Sequence, residues 1–255
     1  MNPSTFNHSN LLALWHLYGA AKLTPEATSI WHNVSWPYRC WVENPEELNK
    51  TLDNVWSRKC LSEKLIGISP NATFSLFQRE ETAWNSTNTK LASIMIDSGF
   101  QHTFSQMAMY LPLTQWSHRH IDTHLDIRKI TNETHINEWV DIGSNAFEYT
   151  IDSAVIAAAS NSKGVSCLIA NYKGKPVATA LLFQSGNTMG IHQIAVKPDL
   201  QGKGIARQLM TDLMSYCQEL GLEAVFLQAS EAGKPLYDSL GFLNLFEIHN
   251  YQISN

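Results

Sequence analysis

Two glycines one residue apart carry the plainest chemical signal in the chain. Gly202 and Gly204 lie in Gln201-Gly202-Lys203-Gly204-Ile205-Ala206, after an alternating strand pattern at Met189–Val196 and directly before an amphipathic helix. A helix start presents unpaired backbone N–H groups and a partial positive charge, and glycines there let the backbone approach a ligand with no Cβ between. That is chemistry for an anion, phosphate above all. A Gly-x-Gly pair alone is a common turn; its place between a strand and a helix gives it weight. Other reactive residues lack such a context. His118, His120, His124 and Asp122 crowd one segment without the spacing of a metal site, so they read as a solvated linker. Cys40, Cys60, Cys167 and Cys217 are scattered with no Cys-x-x-Cys pair, which is neither a disulfide framework nor a zinc pattern.

Composition narrows the classes. The chain has 255 residues, 44% hydrophobic and 16% charged, the size of one large domain or two small ones. A net charge of −5 argues against general nucleic-acid binding, which needs clustered Lys and Arg, but leaves open an anion held by backbone N–H groups. Met1–Asn10 is polar and shows no secretory signal, and no run approaches the ~20 apolar residues of a membrane span. The reduced cytoplasm is the expected compartment. The Asn-x-Ser/Thr triplets at Asn33, Asn71, Asn85 and Asn132 read as chance in an Asn- and Thr-rich chain.

The elements that must position the loop follow from periodicity. The non-periodic run Thr114–His124 separates a stretch 1–115 from a stretch 124–255. In the second, Leu125–Ile130 alternates as a strand. Thr131 or Asn132 can cap a helix running towards Asn145, and Ile151–Ser160 reads as another helix. Strands at Val165–Asn171, Pro176–Gln184 and Met189–Val196 follow, joined by Lys173-Gly174 and Ser185-Gly186-Asn187. Ile205–Leu220 is a helix with Ile205, Leu209, Leu213, Tyr216 and Leu220 on one face, ended by Gly221. Ala224–Gln228 is a strand, Gly233–Leu240 a short helix closed by Gly241, and Phe242–Gln252 a last strand. Hairpins followed by one βα crossover predict a mixed sheet.

The segment Ile191–Ala206, ending Val196-Lys197-Pro198-Asp199-Leu200-Gln201-Gly202-Lys203-Gly204-Ile205-Ala206, resembles the cofactor motif of the GNAT superfamily of N-acetyltransferases. Leu227–Phe242, with Tyr237-Asp238-Ser239-Leu240-Gly241-Phe242 at its end, resembles the second block of that superfamily. The likeness spans about residues 125–253. It implies an α/β fold of the α+β type, with a mixed, mostly antiparallel sheet flanked by helices. It further implies acetyl-CoA as cosubstrate without a metal, and direct transfer to a primary amine of a small molecule or peptide in a ternary complex. By the same resemblance, the backbone of Ile194, Ala195 and Val196 meets the pantetheine arm on a strand that splays from its neighbour. Gln201, Gly202, Lys203, Gly204, Ile205 and Ala206 hold the pyrophosphate, and Ser230 lies nearby. Tyr237 occupies the position of the general acid to the departing thiolate. His192, where several family members carry Glu, is the candidate base; Glu148 competes with it, Glu231 follows, and ordered water can serve instead. The alternative from another class is a non-catalytic acyl-CoA-binding regulator.

Residues 1–113 carry no counterpart of the glycine loop. They read as a helix over Ser9–Ala20, a hairpin of Ala27–His32 with Tyr38–Val42, helices at Glu46–Ser57 and Leu91–Asp97, and a strand over Phe100–Leu113. Ser98-Gly99-Phe100 followed by Met107–Leu111 resembles the closing helix-Gly-Phe-strand of a second, degenerate GNAT unit. Such a half would wall the acceptor pocket or mediate a homodimer. Trp15, Trp31, Trp36, Trp41, Trp56 and Trp84 crowd it and are expected mainly to fill its core.

Overall fold

The computed structural model describes residues 2–23, 29–52, 59, 63, 72–79, 82–117 and 124–253. In chain order these form α1 (Pro3–Leu17), β1 (Ala20–Lys22), β2 (Ile30–Asn33), β3 (Arg39–Val42), α2 (Pro45–Leu52), β4 (Thr73–Gln78), α3 (Thr82–Asp97) and β5 (Phe100–Pro112). The second stretch supplies β6 (Asp126–Lys129), α4 (Glu133–Phe147), α5 (Ser153–Ser160), β7 (Val165–Tyr172), β8 (Lys175–Ser185) and β9 (Thr188–Val196). It closes with α6 (Ile205–Glu219), β10 (Ala224–Ser230), α7 (Lys234–Leu240) and β11 (Leu243–Ile253).

All eleven strands belong to one mixed, mostly antiparallel sheet in the order β1-β2-β3-β4-β11-β5-β10-β9-β8-β7-β6. The expected fold class is therefore the one found. The two stretches share this sheet, because β5 from the first lies between β10 and β11 of the second, antiparallel to both. β11 in turn pairs with β4. Residues His118, His120 and Asp122 of the linker, together with Trp56 and Cys60, lie outside the described residues.

Local chemistry explains the boundaries. Asn132 accepts from the His135 backbone N–H and starts α4; Asp152 does the same for α5 with Ala154 and Val155. Gly221, at φ 71°, ends α6 with its N–H on Gln218 O and the N–H of Leu222 on Cys217 O, a Schellman closure. The buried face of α6 differs from the expectation. It is centred on Leu209, Met210, Leu213, Met214 and Cys217, with Tyr216 and Leu220 at its margin and each 46% exposed. Positions 216 and 220 fall on the edge of a stripe whose middle is set by the two methionines.

In the first stretch α1 runs Pro3–Leu17 rather than Ser9–Ala20. The Asn2 side chain caps Ser4 N with Pro3 in the first turn, and Gly19 at φ 89° turns the chain into β1. α3 begins well before Leu91, through Asn85–Thr89, whose side chains favour turns and hide a helix from pattern reading. Trp41 and Trp84 fill the core as expected, and Trp15 and Trp36, though buried, also line the cavity described below.

Candidate active site

Along β10 the two edges behave differently. One edge pairs with β5 over its full length, Ala224↔Pro112 to Ser230↔Gln106. The other pairs with β9 in parallel only over Ala224–Phe226 with Thr188–Gly190. Beyond Gly190 the two strands diverge, while β9 stays on β8 as far as Val196. The β8–β9 register then slips: Thr179 opposes Ala195 but Leu181 opposes His192, so Gln193 and Ile194 face Ala180 alone. This is a β-bulge, with Gln193 in the left-handed region at φ 52°. The Thr179 hydroxyl donates to Gln193 O at 2.9 Å and pins it.

α1 packs across the divergence. Asn7 donates through Nδ2 to Met109 O and Leu227 O, at 3.0 and 3.1 Å, and accepts from Gln228 Nε2 at 2.7 Å. Asn10 donates through Nδ2 to Phe183 O at 3.0 Å. That orientation turns Asn10 Oδ1 towards His192 Nε2, 3.1 Å away, so Nε2 carries the proton and Nδ1 the lone pair. Gly190 is the residue that permits this seating, since a Cβ there would collide with Asn10 Oδ1 and His192 Nε2. Burial pushes His192 down to about 4, against a smaller opposing effect of Gln228, so the imidazole is neutral at neutral pH.

His192 forms part of the wall of a cavity of about 920 Å³ between the two stretches. Trp15, Tyr18, Trp36, Tyr38 and Arg39 line it from the first, and Phe147, Tyr149, Asp152, Gln193 and Gln228 from the second. Glu148 does not line it although both its neighbours do; it ends α4 in a left-handed conformation at φ 59° and is exposed. Tyr237 also lies elsewhere, at 9% exposure on α7, edge-on to Phe242 and beside Gly233. Burial pushes its hydroxyl up to about 12. Glu231 is exposed, and Lys234 pairs with Asp238 at 2.8 Å.

The glycine loop has the geometry of an anion cradle. Gly202 and Gly204 hold φ 74° and 81°, a region closed to most side chains, and nothing lies within 4 Å of where a Cβ would stand on either. Gly204 precedes α6 with no side-chain cap, so the first N–H groups of the helix have no side-chain acceptor. The Gln201 amide donates to Val196 O at 3.2 Å and Lys203 Nζ to Asp199 O at 2.9 Å, tying the loop to the end of β9. Ala195, Val196 and Ile205 are buried, while Ile194 and Ala206 are partly so. Ser230 Oγ accepts from Gly233 N at 3.1 Å and shapes the turn into α7. Among the described residues no group of three or more His, Cys, Asp or Glu could hold a metal ion. Nor is any described helix long and apolar enough to cross a membrane.

Sequence reading missed Asn7, Asn10, Arg39, Tyr149, Gln193 and Gln228. Those in the first stretch carry no motif, and the amides look like ordinary solvated side chains until the strands diverge. Asn7 and Asn10 at i, i+3, on the helix that runs into the apolar Leu11–Trp15, are the one signal that was available.

The model of the acetyltransferase (GNAT) family matches residues 125–242. None of the curated proteins matches the sequence. Among solved structures, a GCN5-related N-acetyltransferase from Kribbella flavida superposes with a TM-score of 0.64 at 12% identity, over 100% of this chain and 97% of that one. A second GCN5-related N-acetyltransferase, from Sphaerobacter thermophilus, gives 0.62 at 16% identity, over 88% and 76% of the two chains. A functionally unknown conserved protein from Staphylococcus epidermidis gives 0.57 at 16%, over 92% and 95%. At these identities the likeness concerns the fold alone, and it extends through the first stretch. With the family match over residues 125–242, the second stretch carries a GNAT-family acetyltransferase domain.

Proposed function

We propose that the protein moves an acetyl group from acetyl-CoA to a primary amine of a small molecule or peptide, by direct attack within a ternary complex. The observation that carries this reading is the divergence of β9 from β10 beside the left-handed glycine loop. Uncapped N–H groups at the start of α6 fit a pyrophosphate, and the unpaired edge of β9 at Ile194–Val196 fits the amides of a pantetheine arm. When bound, acetyl-CoA supplies an activated acetyl thioester.

The protein's residues supply the rest. An alkyl amine of pKa near 10.4 is protonated at neutral pH, and stripping that proton costs about 4.6 kcal/mol. His192, at about 4, is too weak a base to remove it from an ammonium ion. Its lone-pair nitrogen instead accepts a hydrogen bond from an amine that arrives neutral, favoured by the desolvated cavity, and orients it. Backbone N–H groups at the bulge would meet charge developing on the carbonyl oxygen. Tyr237 at about 12 would give up its proton to a thiolate of pKa near 8.5 only at a cost of about 5 kcal/mol. Its role is therefore a hydrogen bond to the departing sulfur rather than full proton transfer; as the C–N bond forms and the C–S bond breaks, the proton shed by the attacking nitrogen ends on the thiolate. Glu148, exposed at the end of α4, has no part in these steps. The first stretch is a degenerate GNAT-like copy: β4-α3-β5 repeats β10-α7-β11, with Gly99 (φ 88°) matching Gly241 (φ 93°) before each last strand.

The test is release of free thiol from acetyl-CoA in the presence of primary amines, compared between the native chain and Tyr237→Phe. We expect amine-dependent release, reduced about 10²-fold in the variant with acetyl-CoA binding unchanged. Absence of amine-dependent release by a folded chain that binds acetyl-CoA would overturn the proposal.

A further inference from the structure

We infer that the acceptor amine also carries a carboxylate, and that Arg39 is the residue that holds it. This deepens the acetyltransferase reading and rests on the cavity being its acceptor side. Among the described lining residues, Arg39 is the one Lys or Arg, and it forms no ion pair with a described carboxylate. Asp152 lines the same cavity, but its Oδ1 accepts from Ala154 N and Val155 N at 2.8 and 3.4 Å, so it serves the start of α5.

The guanidinium is held from behind and open in front. Its Nη1 donates to Asn250 Oδ1 at 2.9 Å. Asn250 is fully buried and fixed, its Oδ1 also taking the Ser75 hydroxyl at 2.8 Å and its Nδ2 donating to Ile248 O at 3.2 Å. The rings of Phe104 and Trp15 lie 5.6 and 6.0 Å from the guanidinium carbon. The remaining forked donors have no protein acceptor among the described residues. A cation taken from water without a partner is costly. A carboxylate on the ligand removes that cost with a bidentate pair whose geometry the fork matches.

One cation balances one negative charge. A phosphate, with nearly two, would leave the second uncompensated among these residues, so the carboxylate is favoured. Aromatic side chains of Trp36, Tyr38, Phe147 and Tyr149 offer the rest of the molecule an apolar surface. The substrate class is therefore a free amino acid or closely similar amino acid-like molecule with an apolar body.

The experiment uses phenylalanine, tryptophan and leucine, each beside its decarboxylated amine and its carboxamide. Acetyl transfer is followed by thiol release, and equilibrium binding of each probe and of acetyl-CoA by calorimetry. At least one amino acid should be acetylated with kcat/KM about 10-fold to 100-fold above both counterparts that lack the carboxylate. Arg39→Gln should erase that preference, mainly through KM, and leave acetyl-CoA binding intact. Arg39→Lys, which keeps the charge without the fork, should fall between and covers the case in which the Gln variant does not fold. Equal or better use of the counterparts that lack the carboxylate, a preference that survives Arg39→Gln, or no binding of any amino acid would overturn the inference. The acetyltransferase reading fails separately, on loss of acetyl-CoA binding; Arg39-dependent binding of an amino acid would then still support the carboxylate site.

Discussion

Acidification should destabilise this protein through two buried histidines. Burial holds His192 near 4 and His8 near 3, the latter also opposed by Arg79, whose Nη1 lies 3.1 Å from His8 Nδ1. His8 is further enclosed by the rings of Phe77 and Trp84, at 4.5 and 4.9 Å. In the unfolded chain each imidazole takes up a proton near 6.5, whereas the folded chain resists until the lowered value is reached. The unfolded state therefore binds more protons throughout that window, and stability falls as pH drops below 6.5, the loss levelling off only below the folded values. Between about pH 7.5 and about pH 5 each histidine contributes roughly 2 kcal/mol of loss, about 4 kcal/mol together. Urea unfolding at the two pH values measures this directly. His192→Gln should roughly halve the difference, and adding His8→Gln should remove most of it. A pH dependence identical in the native chain and both variants would refute the reasoning.

Two variants separate packing from chemistry. Gly190→Ala drives a methyl into the Asn10–His192 contact and should cost about 2–3 kcal/mol, lowering Tm by roughly 4–10 °C; a variant as stable as the native chain would mean that α1 is not seated there. Tyr237→Phe removes a hydroxyl with no hydrogen-bond partner among the described residues, so the transfer it slows should come with Tm unchanged, which a thermal scan will check.

The second stretch was legible because its elements obey local rules. Hairpin glycines, side-chain caps at Asn132 and Asp152 and a Schellman end at Gly221 each announce themselves within a few residues. The loop at Gly202 and Gly204 was legible for the same reason. The strand exchange that puts β5 between β10 and β11 was not, since pairing partners across more than a hundred residues leave no local trace. The cavity was hidden in the same way: Arg39 sits on a four-residue strand, and only the tertiary fold brings it to the wall that holds His192. β4 escaped notice because Thr73–Gln78, buried on both faces but for Gln78, shows no alternation.

Calorimetric titration with acetyl-CoA tests the central claim most directly, on the native chain beside Gly204→Glu. Glu at that position would face an unfavourable left-handed backbone and place a carboxylate at the start of α6, where the anion is to bind. Saturable binding by the native chain is expected, abolished in a variant that remains folded by circular dichroism. A folded native chain that takes up no acetyl-CoA, or a Gly204→Glu variant that binds as well as native, would contradict it.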